Sequence, residues 1–408
     1  MNISTEYLHA LPKTDLHVHL DGSLRLDTLL DLADDLNVPL PGHDAPTLCE
    51  RVFKSHYKDL PEYLAGFRHT VAVLQTPEAL ERTARELAED NLAENVRYLE
   101  VRFAPQLHLN GHMNTHEILE AVTRGLRAAQ HTHNQSDSVK QGEDVPFHFG
   151  IIVCALRWFS PHMSAYYGKL FDVMANAREK DVFAAASLEL ARAVVRIRDD
   201  AGLPIVGFDL AGAEAGNPAV DHREAFLHAH RNFLRKTVHA GEAYGPESIF
   251  QALTECHADR IGHGTFLFSP ERVRHPGIYD HAAYVHKLVE SIAHRRICIE
   301  VNLTSNQQTL PELADLSQHP LRQMVAHNLS ATICTDNRLV SHTTVTRELE
   351  LAVQHFGFTP AEVRNLVVAG FKGSFFPGDY REKRTFVRQV LNRIDQLETA
   401  QFGSIPRA

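Results

Sequence analysis

Eight short apolar runs separated by stretches of helical periodicity constrain this 408-residue chain more than any other feature. They lie at 14–20, 97–103, 147–155, 205–210, 236–239, 260–263, 296–301 and 330–336. Strands that alternate with helices pair in parallel through right-handed crossovers, and eight of them close into a ring instead of leaving two open edges. The expected fold class is α/β, a (β/α)8 TIM barrel. Helices are expected over 115–133, 184–202, 222–235, 246–258, from about 284 to 294, and over 320–328, with a polar loop at 134–146 and an irregular stretch at 269–284. The segment from 24 to about 95 reads as helical, its clearest helix opening with Thr76 as N-cap and Pro77 in the first turn. Past the last strand, Thr359-Pro360-Ala361-Glu362 is a capping box that opens one helix, and another covers about 379–399. No repeat, low-complexity tract or linker interrupts the pattern. One domain over 1–408 is expected, with extra helices after strand 1 and at the C-terminus and a helical lid insertion at about 24–95.

Such a barrel gathers functional side chains at the carboxyl ends of its strands. His17 and His19 close the first run, and the two-residue period of a strand puts both imidazoles on one face. Asp21-Gly22-Ser23 follows and can turn the chain and cap the next helix. Leu210-Ala211-Gly212 ends the fourth run, His239-Ala240-Gly241-Glu242 the fifth, Gly262-His263-Gly264 the sixth and Thr335-Asp336-Asn337 the eighth. With 27 histidines, His-x-His pairs also arise by chance. His131/His133 and His228/His230 are two such pairs in helical segments, where residues two apart face different ways. The set His17, His19, His239 and Asp336 supplies three imidazoles and a carboxylate, suited to one divalent transition metal such as zinc with a position left for water. Glu242 is then placed to protonate an acceptor atom of the substrate, and His263 to take a proton from the attacking water.

A formal charge of −10 and the lack of a basic stripe speak against a nucleic-acid partner. The longest apolar stretch, 149–156, is too short to cross a bilayer, and no basic-then-apolar leader opens the chain. A soluble, cytoplasmic protein without a membrane partner is expected. Five scattered cysteines without a Cys-x-x-Cys argue against a disulfide framework or a thiolate zinc site, and Cys154, Cys298 and Cys334 read as small core hydrophobes. Nothing in the sequence speaks to oligomeric state.

Taken together, Lys13 to Ser23, Tyr98 to Pro105, Gly207 to Gly212, His239 to Glu242, Arg260 to Gly264 and Thr335-Asp336 resemble the adenosine deaminase family of metal-dependent amidohydrolases over nearly the whole chain. The resemblance implies that His17, His19, His239 and Asp336 bind zinc and that Glu242 protonates purine N1. It also implies that His263 orients or deprotonates the attacking water, that Asp21 holds a ribose hydroxyl and that the backbone at Gly212 contacts the base. Water would add at C6 and ammonia would leave, turning adenosine or deoxyadenosine into inosine or deoxyinosine.

Two departures bear on the substrate. The family usually has a second aspartate contacting the purine where this chain has Asn337, an amide able to donate or accept. Many relatives carry Cys-Pro where Asn302-Leu303 stands here. Another 6-aminopurine derivative, such as aminodeoxyfutalosine or an N6-substituted nucleoside or nucleotide, is the alternative substrate; a non-catalytic nucleoside-binding zinc scaffold is the alternative from a different class. Retention of both Glu242 and His263 speaks against the scaffold. The cytidine-deaminase signature Pro-Cys-x-x-Cys is absent.

Overall fold

The computed structural model describes residues 3–403. Its strands are β1 (Lys13–His19), β2 (Val96–Phe103), β3 (His148–Leu156), β4 (Ile205–Ala211), β5 (Arg235–Ala240), β6 (Arg260–His263), β7 (Cys298–Val301) and β8 (Ser330–Ile333). Each pairs in parallel with the next, in sequence order. A parallel bridge between Val18 and Asp336 joins the two ends of the sheet. There the His19 N–H donates to the Asp336 carbonyl and the Asp336 N–H to the His17 carbonyl, both at 2.7 Å. Asp15 adds to this seam by accepting the Thr335 N–H at 3.2 Å and hydroxyl at 2.5 Å. The (β/α)8 barrel read from the eight apolar runs is the fold of the chain.

The barrel interior is not uniformly aliphatic. Arg102 on β2 donates to Asp209 on β4 at 2.9 Å, to Glu300 on β7 at 2.8 Å and to the Leu16 carbonyl at 2.5 Å. Arg260 on β6 donates to Glu300 at 2.6 Å and also to Glu100, and the Thr237 hydroxyl donates to Glu300 at 2.9 Å. All of these side chains are buried. Burying a charge costs less when its partners are fully in place, and removing one partner strands the other at a cost of about 3–5 kcal/mol. The network therefore fixes the strands beneath the rim to one another.

Several element bounds shift from expectation, for local reasons. The seventh strand begins at Cys298 because Arg296, at φ +52°, is the left-handed C-cap of the helix His281–Arg295. The eighth stops at Ile333, and Asp336 itself takes φ +63°. The helix expected from 184 starts earlier, as Glu179–Ala201, and the one expected over 222–235 is the shorter Arg223–Arg231. Residues 134–146 are mostly loop but include the turn Asp137–Lys140. Helices at Ala165–Val173, Leu303–Thr309 and Val345–Phe356 were not expected. Ser23 does not cap a helix; its hydroxyl accepts from the Arg338 N–H at 3.0 Å, and Arg25 holds the cap position of Leu26–Asp35 without a side-chain bond. The capping box at Thr359 and Glu362 forms as read, and a second one, Asp379 with Glu382, opens the last helix, Tyr380–Phe402.

Between β1 and β2 the chain is five helices: Leu26–Asp35, Ala45–Arg51, Leu60–Ala65, Phe67–Val73 and Pro77–Ala93. Asp44, Asp59 and Thr76 each cap one of them by accepting a backbone N–H. The helices Leu60–Ala65 and Phe67–Val73 lie beside the rim, next to His19 and Asp21. The segment between β1 and β2 is tied to the loop after β8 by Tyr63, whose hydroxyl bonds Ser341 at 2.8 Å, by Tyr57 donating to the Val340 carbonyl at 3.2 Å, and by His342 donating to the Phe53 carbonyl at 2.6 Å. No helix among the described residues is long and apolar enough to cross a membrane.

Candidate active site

His17 and His19 end β1, His239 lies one residue before the end of β5, and Asp336 follows β8. One ligand atom from each lies within 4.8 Å of all the others. The Nε2 atoms of His17 and His19 are 3.1 and 3.2 Å from Nε2 of His239, and each is 3.5 Å from Asp336 Oδ1. Four donors about 2.0–2.2 Å from a common centre are spaced by roughly 3.3–3.5 Å, so the cluster fits a zinc-sized ion.

The neighbours that orient these donors were not read from the sequence. His17 Nδ1 lies 2.9 Å from Glu300, His239 Nδ1 lies 3.1 Å from Asp209, and Asp336 accepts the Ser305 hydroxyl at 2.5 Å. A carboxylate on Nδ1 leaves Nε2 free to face an ion and raises its basicity. In the buried network the guanidiniums of Arg102 and Arg260 face the carboxylates of Glu100, Asp209 and Glu300, one formal negative charge in excess, and Asp336 adds a second. That balance matches a divalent cation. Burial alone would raise the Asp336 carboxyl, but the adjacent imidazoles, His17 foremost, outweigh it and hold it well below the usual carboxylate range. A sequence signal existed: an acid inside an otherwise apolar strand, as in Ile-Cys-Ile-Glu-Val, requires a buried partner.

The cluster forms the floor of a cavity of about 680 Å³. Asp21, Gly212, Glu242, His263 and Asn337 all line it beside His19, His239 and Asp336, and His17 lies behind them with its Nε2 3.1 Å from that of His239. Glu242 is buried, and burial pushes its carboxyl up to about 8, protonated at neutral pH. Burial also raises Asp21 to about 7, and its Oδ1 has no partner within the protein. Cys154 lines the cavity as well as belonging to a buried cluster, with its thiol 3.5 Å from Asp209.

His263 has a tautomer fixed by its surroundings. The Leu321 N–H donates to His319 Nδ1 at 3.1 Å, so His319 carries its proton on Nε2 and donates it to Asn306 Oδ1 at 3.2 Å. The Asn306 amide nitrogen, 3.1 Å from His263 Nδ1, then donates to that atom. Neutral His263 therefore bears its hydrogen on Nε2, which has no protein partner and lies 3.7 Å from Glu242. Burial and the nearby His17 keep the ring neutral. In this arrangement His263 presents a donor to the cavity.

The model of the family described as "Adenosine deaminase" matches residues 12–393. The chain belongs to the adenosine deaminase family. Among relatives named adenosine deaminase, that of Mycobacterium avium is 35% identical, with 93% of this chain and 94% of the relative aligned, and that of Mycobacterium ulcerans 36% identical, with 91% and 92% aligned. The chain is an enzyme of this family. The fold is shared with a solved adenine deaminase from Arthrobacter aurescens (TM-score 0.70, 23% identity, 94% of this chain and 99% of that one) and with an amidohydrolase of B. ambifaria solved with bound zinc (TM-score 0.74, 23% identity, 98% and 96%).

Both departures from the family pattern fall at this site. Asn337 donates its amide to the Tyr63 hydroxyl at 2.9 Å, while its Oδ1 lies against Gly22 so closely that a Cβ there would sit 1.9 Å away. Asn302 places its amide nitrogen 3.3 Å from His263 Nδ1, beside that of Asn306.

Proposed function

We propose that this enzyme hydrolytically deaminates adenosine and deoxyadenosine to inosine and deoxyinosine, releasing ammonia, with one zinc ion per chain held by His17, His19, His239 and Asp336. The observation that carries the reading is that this donor set, a protonated Glu242 and an unpartnered His263 Nε2 face one cavity. Zinc at such a site acts as a Lewis acid and lowers the pKa of a bound water to about 7. Glu242 gives its proton to N1, which makes C6 more electrophilic. His263 donates its Nε2–H to orient the attacking water, a role its tautomer supports over that of base. Asp21 accepts a sugar hydroxyl at its free Oδ1, and the backbone at Gly212 contacts the base. Water leaves its oxygen on C6; one of its protons restores the Glu242 carboxyl and the other goes to the amine, which departs as ammonia. The helices between β1 and β2 act as a lid that excludes bulk water and strengthens these interactions.

A neutral nucleoside is favoured over a nucleotide because, among the described residues lining the cavity, Arg68 is the sole arginine and there is no lysine to meet a phosphate. The cavity's size and its apolar wall of Leu60, Phe67, Val71, Leu107 and Trp158 keep a second reading open, a larger 6-aminopurine derivative such as an N6-substituted nucleoside or aminodeoxyfutalosine. Solved structural neighbours include a plant N6-mAMP deaminase. A spectrophotometric screen of the zinc-loaded enzyme decides between them: adenosine should turn over with the highest kcat/KM, and AMP at least tenfold less well. Preference for AMP or an N6-substituted substrate would move the assignment to the second reading.

A further inference from the structure

The loop carrying Glu242 is held by a second carboxylate with no role assigned so far. Glu214 lies just past β4, two residues after Gly212, and is fully buried. One of its oxygens accepts from the Gly241 N–H at 2.9 Å and from the Ser248 hydroxyl. The other accepts from the N–H groups of Glu242 at 3.0 Å, Ala243 at 2.6 Å and Tyr244 at 2.9 Å. Four consecutive amides thus converge on one side chain, an anion nest filled by the protein itself. The turn that aims them depends on Gly241 at φ +72°, where a Cβ would also strike Ile249 at 2.7 Å. The grip is reinforced from both sides. Gly216 N–H donates to the Tyr244 hydroxyl at 2.9 Å, and Arg157 donates to the carbonyls of Asn217 at 2.7 Å and His239 at 2.5 Å.

Among the described residues the Glu242 side chain has no hydrogen bond to fix it, and the neutral His263 lies 3.7 Å away. The position of its proton is therefore set by its backbone, and its backbone is set by Glu214. We propose that Glu214 is a positioning residue for the reaction: by gripping the amides of residues 241–244 it fixes where Glu242 presents its proton relative to the Gly212 loop, on which Glu214 itself sits. The inference rests on the reading of Glu242 as proton donor. Reactions of this kind lose up to about 100-fold in rate for a misplacement of about 1 Å, whereas binding of the remaining substrate is less sensitive.

The test uses the full-length, zinc-loaded protein as parent, Glu214→Gln, Glu214→Asp and Ser248→Ala, with Glu242→Gln as reference, and measures zinc content, KM, kcat and the pH profile of kcat. Glu214→Gln loses at least two acceptor contacts and should lower kcat by about 10- to 100-fold with KM within about threefold and zinc content unchanged. Its alkaline limb should move to lower pH, because removing a neighbouring negative charge makes Glu242 easier to ionise. The groups facing Glu242 are His239 and Arg157, which favour its ionisation, Asp336 and Glu214, which oppose it, and His263. Glu214→Asp keeps the charge but falls one methylene short, so kcat should drop while the limb stays in place. Ser248→Ala should cost kcat about two- to fivefold at unchanged KM.

A folded, zinc-loaded Glu214→Gln with kcat within twofold of the parent overturns the proposal, as does a loss confined to KM. If Glu214→Gln does not fold, Ser248→Ala decides, and an unchanged kcat there overturns it. Should Glu242→Gln turn over like the parent, the reading of the proton donor fails instead, a result separable from a failure of Glu214 alone.

Discussion

The two sides of the cavity are built by different physics. On the barrel side, the proposed metal-facing and proton-handling groups other than His19 each have a buried, directional support: Glu300 under His17, Asp209 under His239, Ser305 on Asp336, Asn306 on His263 and Glu214 under the Glu242 loop. On the lid side the wall is apolar, and its attachment to the rim rests on a few tyrosine and backbone bonds. The contrast separates chemistry from choice of substrate. Directional supports tolerate little displacement, which the reacting centre demands, while apolar walls accommodate altered substrates and can open to admit them.

The largest test of that division is Glu242→Gln, expected to lower kcat by about 10²- to 10⁴-fold with little change in Tm or zinc content. Equal turnover would remove Glu242 from the barrel-side machinery. Next is Glu300→Gln, which disturbs His17, Arg102, Arg260 and Thr237 together. Zinc affinity should weaken by about 10- to 100-fold and the protein should lose about 3–5 kcal/mol of stability, read by metal-chelator competition and denaturant unfolding. A smaller signal is the alkaline limb of kcat/KM. Glu242 is the proposed acid, burial raises it to about 8, and a nearby cation can only lower it, so activity should fall as pH rises through a value at or below about 8. A limb above about pH 9 would contradict its assignment as the acid.

The smallest effect should lie on the lid side. Tyr63→Phe strands the Asn337 amide and frees Ser341, at a cost of about 1–3 kcal/mol, and should raise KM a few-fold with kcat nearly unchanged. A fall in kcat comparable to that of Glu300→Gln would erase the contrast between the two sides.

The strands were legible because period-two alternation and apolar runs are what a barrel wall requires, and the rim residues followed from where those runs end. His17, His19, His239 and Asp336 could be grouped without coordinates for that reason alone. The five separate helices between β1 and β2 were harder to see, since their breaks depend on caps at Asp44 and Asp59 inside a stretch of continuous helical propensity. The supports were missed for another reason. Asp209, Glu300 and Arg102 were visible as charges in apolar strands, but their partners lie as far away as 283 residues, and pairing across a barrel follows from strand order and register, not local pattern. The donor state of His263 depends on a relay through His319 that no spacing in the chain announces.

The seam between the first and last strands lies at the proposed metal ligands themselves, where Asp15 meets Thr335 across 320 residues of sequence. A growing polypeptide thus shows two imidazoles early and a third midway, and acquires the carboxylate only when the ring can shut. An ion held by the proposed set would join the first strand to the last, so its binding energy would also keep the ring shut, as a clasp does.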